Sequence, residues 1–87
     1  MRFRSMETSV KHDEGRGRFD LYADGKKGGY LTYEIYGGSL DIQHTVVEPE
    51  FRGKGLGEIL LDAAVKYANK KGLKIVPSCS FAAKKLS

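Results

Sequence analysis

Pro49-Glu50-Phe51-Arg52-Gly53-Lys54-Gly55-Leu56-Gly57 separates two stretches of sequence with different periods. Before it, apolar residues alternate with polar ones, the two-residue period of a half-buried strand. After it, Leu56, Ile59, Leu60, Ala63, Ala64 and Tyr67 recur at helical spacing. Three glycines at alternate positions suit a helix interior poorly, since each costs about 1 kcal/mol there relative to Ala. Their use is exposure of the backbone. The first four N–H groups of a helix lack intrahelical partners and lie at the positive end of its dipole, so a glycine-lined entry lets a phosphate approach them closely. Arg52 and Lys54 add positive charge to the same loop. The spacing is neither G-x-x-x-x-G-K-[ST] nor G-x-G-x-x-G, which excludes the nucleotide loops those patterns mark. On its chemistry alone the loop is either an anion site or a turn that binds nothing.

Working outward, the residues before this loop read as three strands in a meander. Phe19, Leu21 and Ala23 share one face of a strand starting at Arg18, and Asp24-Gly25-Lys26-Lys27 is the turn that closes it. Leu31, Tyr33 and Ile35 share a face between Tyr30 and Tyr36, closed by Gly37-Gly38. The third strand runs from Ser39 to Val47, with Leu40, Ile42, His44 and Val46 on its apolar face unless a local bulge reverses the later residues. Residues 1–14 show no sustained period and read as a flexible tail, His12 included, carrying no chemistry. On the far side of the loop, Glu58 and Asp62 sit early in the helix, Lys70 and Lys71 sit late, and Gly72 closes it. Leu73 to Val76 is a strand ended by Pro77, and a helix between two strands implies parallel pairing of that strand with the third. Ser78 to Leu86 holds a short helix capped by Ser78 or Ser80. The expected class is α+β: a mainly antiparallel twisted sheet, one long helix and a short C-terminal helix.

The 87 residues hold one modest core and one site, so residues 1–87 read as a single domain and a two-domain enzyme is excluded. One cysteine and two histidines supply neither a disulfide framework nor a structural metal cluster, and no metal is expected. No apolar run approaches the roughly 18 residues of a membrane span, and the start MRFRSMETSV lacks a signal-peptide core. The expectation is a soluble, cytoplasmic, monomeric protein with no membrane partner. The net charge of +4 lies wholly in the second half, where residues 45–87 carry eight basic and four acidic side chains against seven and seven before. Such a field suits an anionic partner, either a phosphate-bearing cofactor or a polynucleotide. Few of the basic side chains are interleaved with the aromatics that nucleic-acid binding favours, which sets the polynucleotide behind the cofactor, while solvated lysines on a helix would give the same charge.

The run Arg52-Gly53-Lys54-Gly55-Leu56-Gly57 resembles, position for position, the Q/R-x-x-G-x-G/A motif of the GNAT superfamily of N-acetyltransferases. His44-Thr45 before it and Pro77-Ser78-Cys79-Ser80-Phe81-Ala82 after it resemble the small single-domain members of the YjdJ type. The resemblance covers about residues 10–86, without the helical pair that covers the acceptor site in larger members. It implies a GNAT-like fold and an acetyl-CoA (CoA) site in which the backbone of Thr45, Val46 and Val47 pairs with the pantetheine arm. Arg52, Gly53, Lys54, Gly55, Leu56 and Gly57 would then take the pyrophosphate. The implied activity is acetyl transfer to an unidentified primary amine, on a small molecule or a protein; the alternative is a CoA-binding module without turnover. Cys79 is either a small buried residue or, by its family position near the thioester, a nucleophile or a proton donor to the leaving thiolate. His44 is either a satisfied core residue or a general base, and Glu34 either a solvated carboxylate or a proton relay through water.

Overall fold

The structure, a computed structural model, describes residues 7–86. Five strands and two helices follow one another: β1 (Thr8–Asp13), β2 (Arg18–Ala23), β3 (Lys26–Tyr36), β4 (Ser39–Val47), α1 (Leu56–Lys71), β5 (Lys74–Pro77) and α2 (Ser80–Leu86). They form one sheet in the order β1-β2-β3-β4-β5. The first four strands are antiparallel, and β5 lies parallel to β4, as the intervening helix implies. The α+β class and its mainly antiparallel sheet, long helix and short last helix are therefore present.

The core lies between the sheet and α1. Leu21, Leu31, Leu40 and Ile42 from the strands and Leu56, Leu60 and Ala64 from the helix are fully buried. Each such leucine contributes about 1.5–3 kcal/mol by leaving water. β3 starts at Lys26, four residues before the expected Tyr30, and Gly28 and Gly29 in this added stretch lie where α1 and β4 come close. A β-carbon on Gly29 would stand 2.5 Å from the Val46 carbonyl oxygen, and one on Gly28 would stand 3.2 Å from Leu56 Cδ1.

Two expectations are corrected. Residues 8–13 are not tail: they pair along β2 as an edge strand, with Val10 opposite Leu21 and His12 opposite Phe19. Residues 1–6 lie outside the described residues. His12 is a packed residue, stacked on Phe19 at 4.0 Å between centroids and edge-on to Tyr67 at 4.3 Å, with Nε2 2.6 Å from the Tyr33 hydroxyl. The short last helix also starts differently from the expectation. The Cys79 carbonyl accepts the first helical bond, from Ala83 N at 2.9 Å, so Cys79 rather than a serine stands at its N-cap.

Candidate functional site

The site begins where β4 and β5 part. Their pairing runs only from Ser39–Lys74 to Ile42–Pro77, and the last bond across is Cys79 N to the Ile42 carbonyl at 2.9 Å. Pro77 ends β5, and the chain turns into α2, while β4 continues five residues further to Val47. Among the described residues, Thr45 to Val47 therefore has no strand on its β5 side. A cavity of about 570 Å³ fills this opening, walled by that strand edge, by the loop and first turn of α1, and by Phe81 and Lys85 of α2. That is within the usual size of a small-molecule site.

The entry to α1 is capped by a glycine. Gly55 caps the helix in the left-handed region (φ 78°), where a β-carbon would be strained, and no side chain caps the first turn. Gly53, Gly55 and Gly57 of this entry line the cavity. Gly57 is a close-packing residue as well: a β-carbon there would meet Phe81 Cζ at 2.9 Å, so its absence lets α2 lie against α1. Of the two cations in the loop, Arg52 lines the cavity with its Nε donating to the Val47 carbonyl at 3.2 Å, whereas Lys54 is exposed and does not line it.

A bulge in β4 decides which face each remaining candidate takes. Thr32 pairs with His44 and Tyr33 with Ile42, leaving Gln43 as the extra residue. Beyond it Thr45 and Val47 join the helix-side face of Leu40 and Ile42, and His44 turns to the opposite, open face, where it is exposed. The apolar-face placement of His44 is therefore reversed, by the bulge that the alternation leaves open. Glu34 is exposed on the same open face. Cys79 lies half-buried on the other side, packed against the core. Burial alone would raise its thiol; the Ala82 amide, the Thr45 side chain and the Phe81 amide together outweigh this and hold it below its ordinary value. Thr45 Oγ1 is itself buried without a hydrogen bond of good geometry among the described residues.

The structure thus gathers Thr45, Val46, Val47, Arg52, Gly53, Gly55, Leu56 and Gly57 around one cavity and places Cys79 beside Thr45, with His44 and Glu34 across the sheet. Four residues of the cavity, Phe51, Glu58, Phe81 and Lys85, are absent from the sequence-based set. Phe51 and Phe81 belong to the motifs that flank the site, and that position was the available signal. For Glu58 and Lys85 the sequence carried none, because their meeting depends on how α2 docks. Among the described residues, no helix is long and apolar enough to cross a membrane.

Comparison with known proteins agrees with this arrangement. The family described as GCN5-related N-acetyl-transferase matches residues 18–87. Protein NATD1 of Xenopus tropicalis is 34% identical over 77 residues, covering 86% of this chain and 71% of its own length. An uncharacterised N-acetyltransferase of Methanocaldococcus jannaschii is 34% identical over 74 residues, and there the chain spans only 32% of the relative's length. Among solved structures, a candidate GCN5-like N-acetyltransferase from Staphylococcus aureus superposes with a TM-score of 0.70 at 34% identity, over 90% of this chain and 76% of that one. The PaiA N-acetyltransferase of Thermoplasma acidophilum, solved with coenzyme A, superposes with a TM-score of 0.61 at 27% identity, over 64% of this chain and 35% of that one.

Proposed function

Because the chain belongs to the GCN5-related N-acetyltransferase family, we propose that it binds acetyl-CoA in the cavity between β4, α1 and α2 and transfers the acetyl group to a primary amine. The observation that carries this reading is the coincidence, at one cavity, of an unpaired strand edge at Thr45–Val47 with an uncapped helix entry at Gly55. An extended amide-bearing arm such as pantetheine adds to a strand edge, and a diphosphate suits open helix amides. The small-member subtype suggested by His44-Thr45 and Pro77 to Ala82 belongs to the same reading.

Each candidate residue then has a task. The backbone of Thr45 to Val47 holds the arm, and the amides from Arg52 to Gly57 hold the pyrophosphate, with Lys54 contributing charge from outside the cavity. An amine attacks the thioester carbon, so that a C–N bond forms as the C–S bond breaks. The amine proton passes to His44, directly or through water beside Glu34, from the open face of the sheet. Cys79, on the helix side with its thiol lowered, gives a proton to the departing sulfur. We expect Cys79→Ala to retain CoA binding and lose about 10²-fold in thioester turnover, read as thiol release with a panel of primary amines. Unchanged turnover removes Cys79 from the mechanism.

A second reading, a CoA-binding module without turnover, is favoured by one observation: His44 and Glu34 stand exposed on a sheet face that no helix of the described residues covers. Binding of acetyl-CoA with no thiol release across the amine panel supports that reading over the first.

A further inference from the structure

The ion pair between Lys85 and Glu58 lies on the rim of the cavity that would take the cofactor. Lys85 Nζ stands 2.7 Å from Glu58 Oε2, joining the last turn of α2 to the first turn of α1, and both residues line the cavity. The Lys85 ammonium is 5.8 Å from the centre of the Phe81 ring, which itself packs on Gly57. Glu58 reaches back over the loop: its Oε1 would lie 3.6 Å from a β-carbon on Gly55. A carboxylate therefore stands beside the helix entry to which the cofactor reading assigns a phosphate. Alone it would repel that phosphate, and the loop sets against it the charges of Arg52 and Lys54. Arg52 is engaged with the Val47 carbonyl, and Lys54 lies outside the cavity.

Both partners of the pair remain about half exposed, at 44% for Lys85 and 55% for Glu58. An ion pair in that setting is worth little, so exchanging one anionic partner for another costs little. Lysine suits such an exchange, being a point charge with three donors on a flexible stem. We infer that Lys85 is a phosphate ligand of this site, held by Glu58 until a phosphorylated thioester or thiol arrives and then turned toward its phosphate. The inference rests on the cofactor reading above and adds to it a residue outside the glycine motif that selects for phosphorylated ligands. Glu58 acts through Lys85 as a positioning residue, and its charge limits affinity.

The test measures coenzyme A and unphosphorylated pantetheine by chemical-shift titration against the wild type, Lys85→Met, Glu58→Gln and the double variant. We expect Lys85→Met to weaken coenzyme A about 3- to 10-fold, the range of a single solvent-exposed charge-assisted contact. The loss should persist in the Glu58→Gln background, while Glu58→Gln alone binds coenzyme A at least as tightly as the wild type. Pantetheine shifts should be equal in all four proteins. The inference is overturned if Lys85→Met costs nothing once Glu58 is neutral, since Lys85 would then serve only to cancel that carboxylate. It is also overturned if Glu58→Gln weakens coenzyme A as much as Lys85→Met does, which marks the pair as a clasp for α2. A wild type that takes up neither ligand overturns the cofactor reading itself.

Discussion

At Gly57 two opposing effects meet in one residue. Alanine is favoured over glycine in a helix by about 1 kcal/mol, yet the added β-carbon would press on the Phe81 ring from 2.9 Å. The ring, not the backbone, must yield, and the ring is a wall of the cavity. Gly57→Ala should therefore change the melting temperature little while weakening acetyl-CoA binding several-fold, as calorimetry on the same sample would show. His12 carries a pH dependence. Burial lowers its imidazole below the ordinary 6.5, against the raising effect of Glu14 and Asp13. The unfolded chain then binds a proton more readily than the folded one, so the stability His12 contributes is complete above pH 6.5 and declines as pH falls through that value. A second decline follows below about 4.5, where Glu14, held down chiefly by the Tyr67 hydroxyl, takes up its proton. Thermal melts across pH should show both steps, and His12→Phe should remove only the upper one. An unchanged profile in that variant would assign the upper step to another group. None of this was legible along the chain, because His12 meets Tyr33 and Tyr67, 21 and 55 residues away.

Among the elements, α1 is the one the sequence specified best. Its apolar period, its acidic start at Glu58 and its close at Gly72, which sits in the left-handed region with its N–H bonded to Ala68 and Asn69, are all local features. The parallel placement of β5 was equally legible, since it follows from topology. The edge strand β1 was not: Val10 is its one aliphatic residue facing the core, and an edge strand with polar ends lacks the alternation that reveals a strand. The β4 bulge was visible only as a possibility, because a skipped residue leaves no mark on the alternation around it. The uncapped start of α1 invites a direct test. Gly55→Asp puts a carboxylate at this entry, beside Glu58 and in a left-handed conformation that strains aspartate less than most residues but still strains it. The melting temperature should fall modestly, and acetyl-CoA affinity in the still-folded variant should fall by more than about 10-fold, the effect of one like charge at a phosphate seat (about 1.4 kcal/mol per factor of ten). Retained affinity would show that the phosphates do not use this helix entry.

At the scale of the whole molecule, both helices lie on one side of the sheet. α1 packs on β2, β3 and β4, and α2 meets β4 and β5. The strand edge at Thr45–Val47, the helix entry at Gly55 and the Cys79 thiol consequently converge where β4 and β5 part, and the other face carries His44 and Glu34 in the open. The glycine-lined wall of the cavity was readable because it rests on backbone geometry written into a compact motif. The facing of His44 was not, since it depends on a bulge, whereas Glu34 stands on the polar face that the alternation assigns it. The central claim is that one ligand joins the strand edge, the glycine loop and α2. An amide-resolved NMR titration with acetyl-CoA tests it most directly. Saturable shifts confined to residues 45–58 and 77–85, persisting at moderate salt, are expected. Absent shifts, or diffuse ones that spread over the lysines of α1 and vanish as salt is raised, would contradict it.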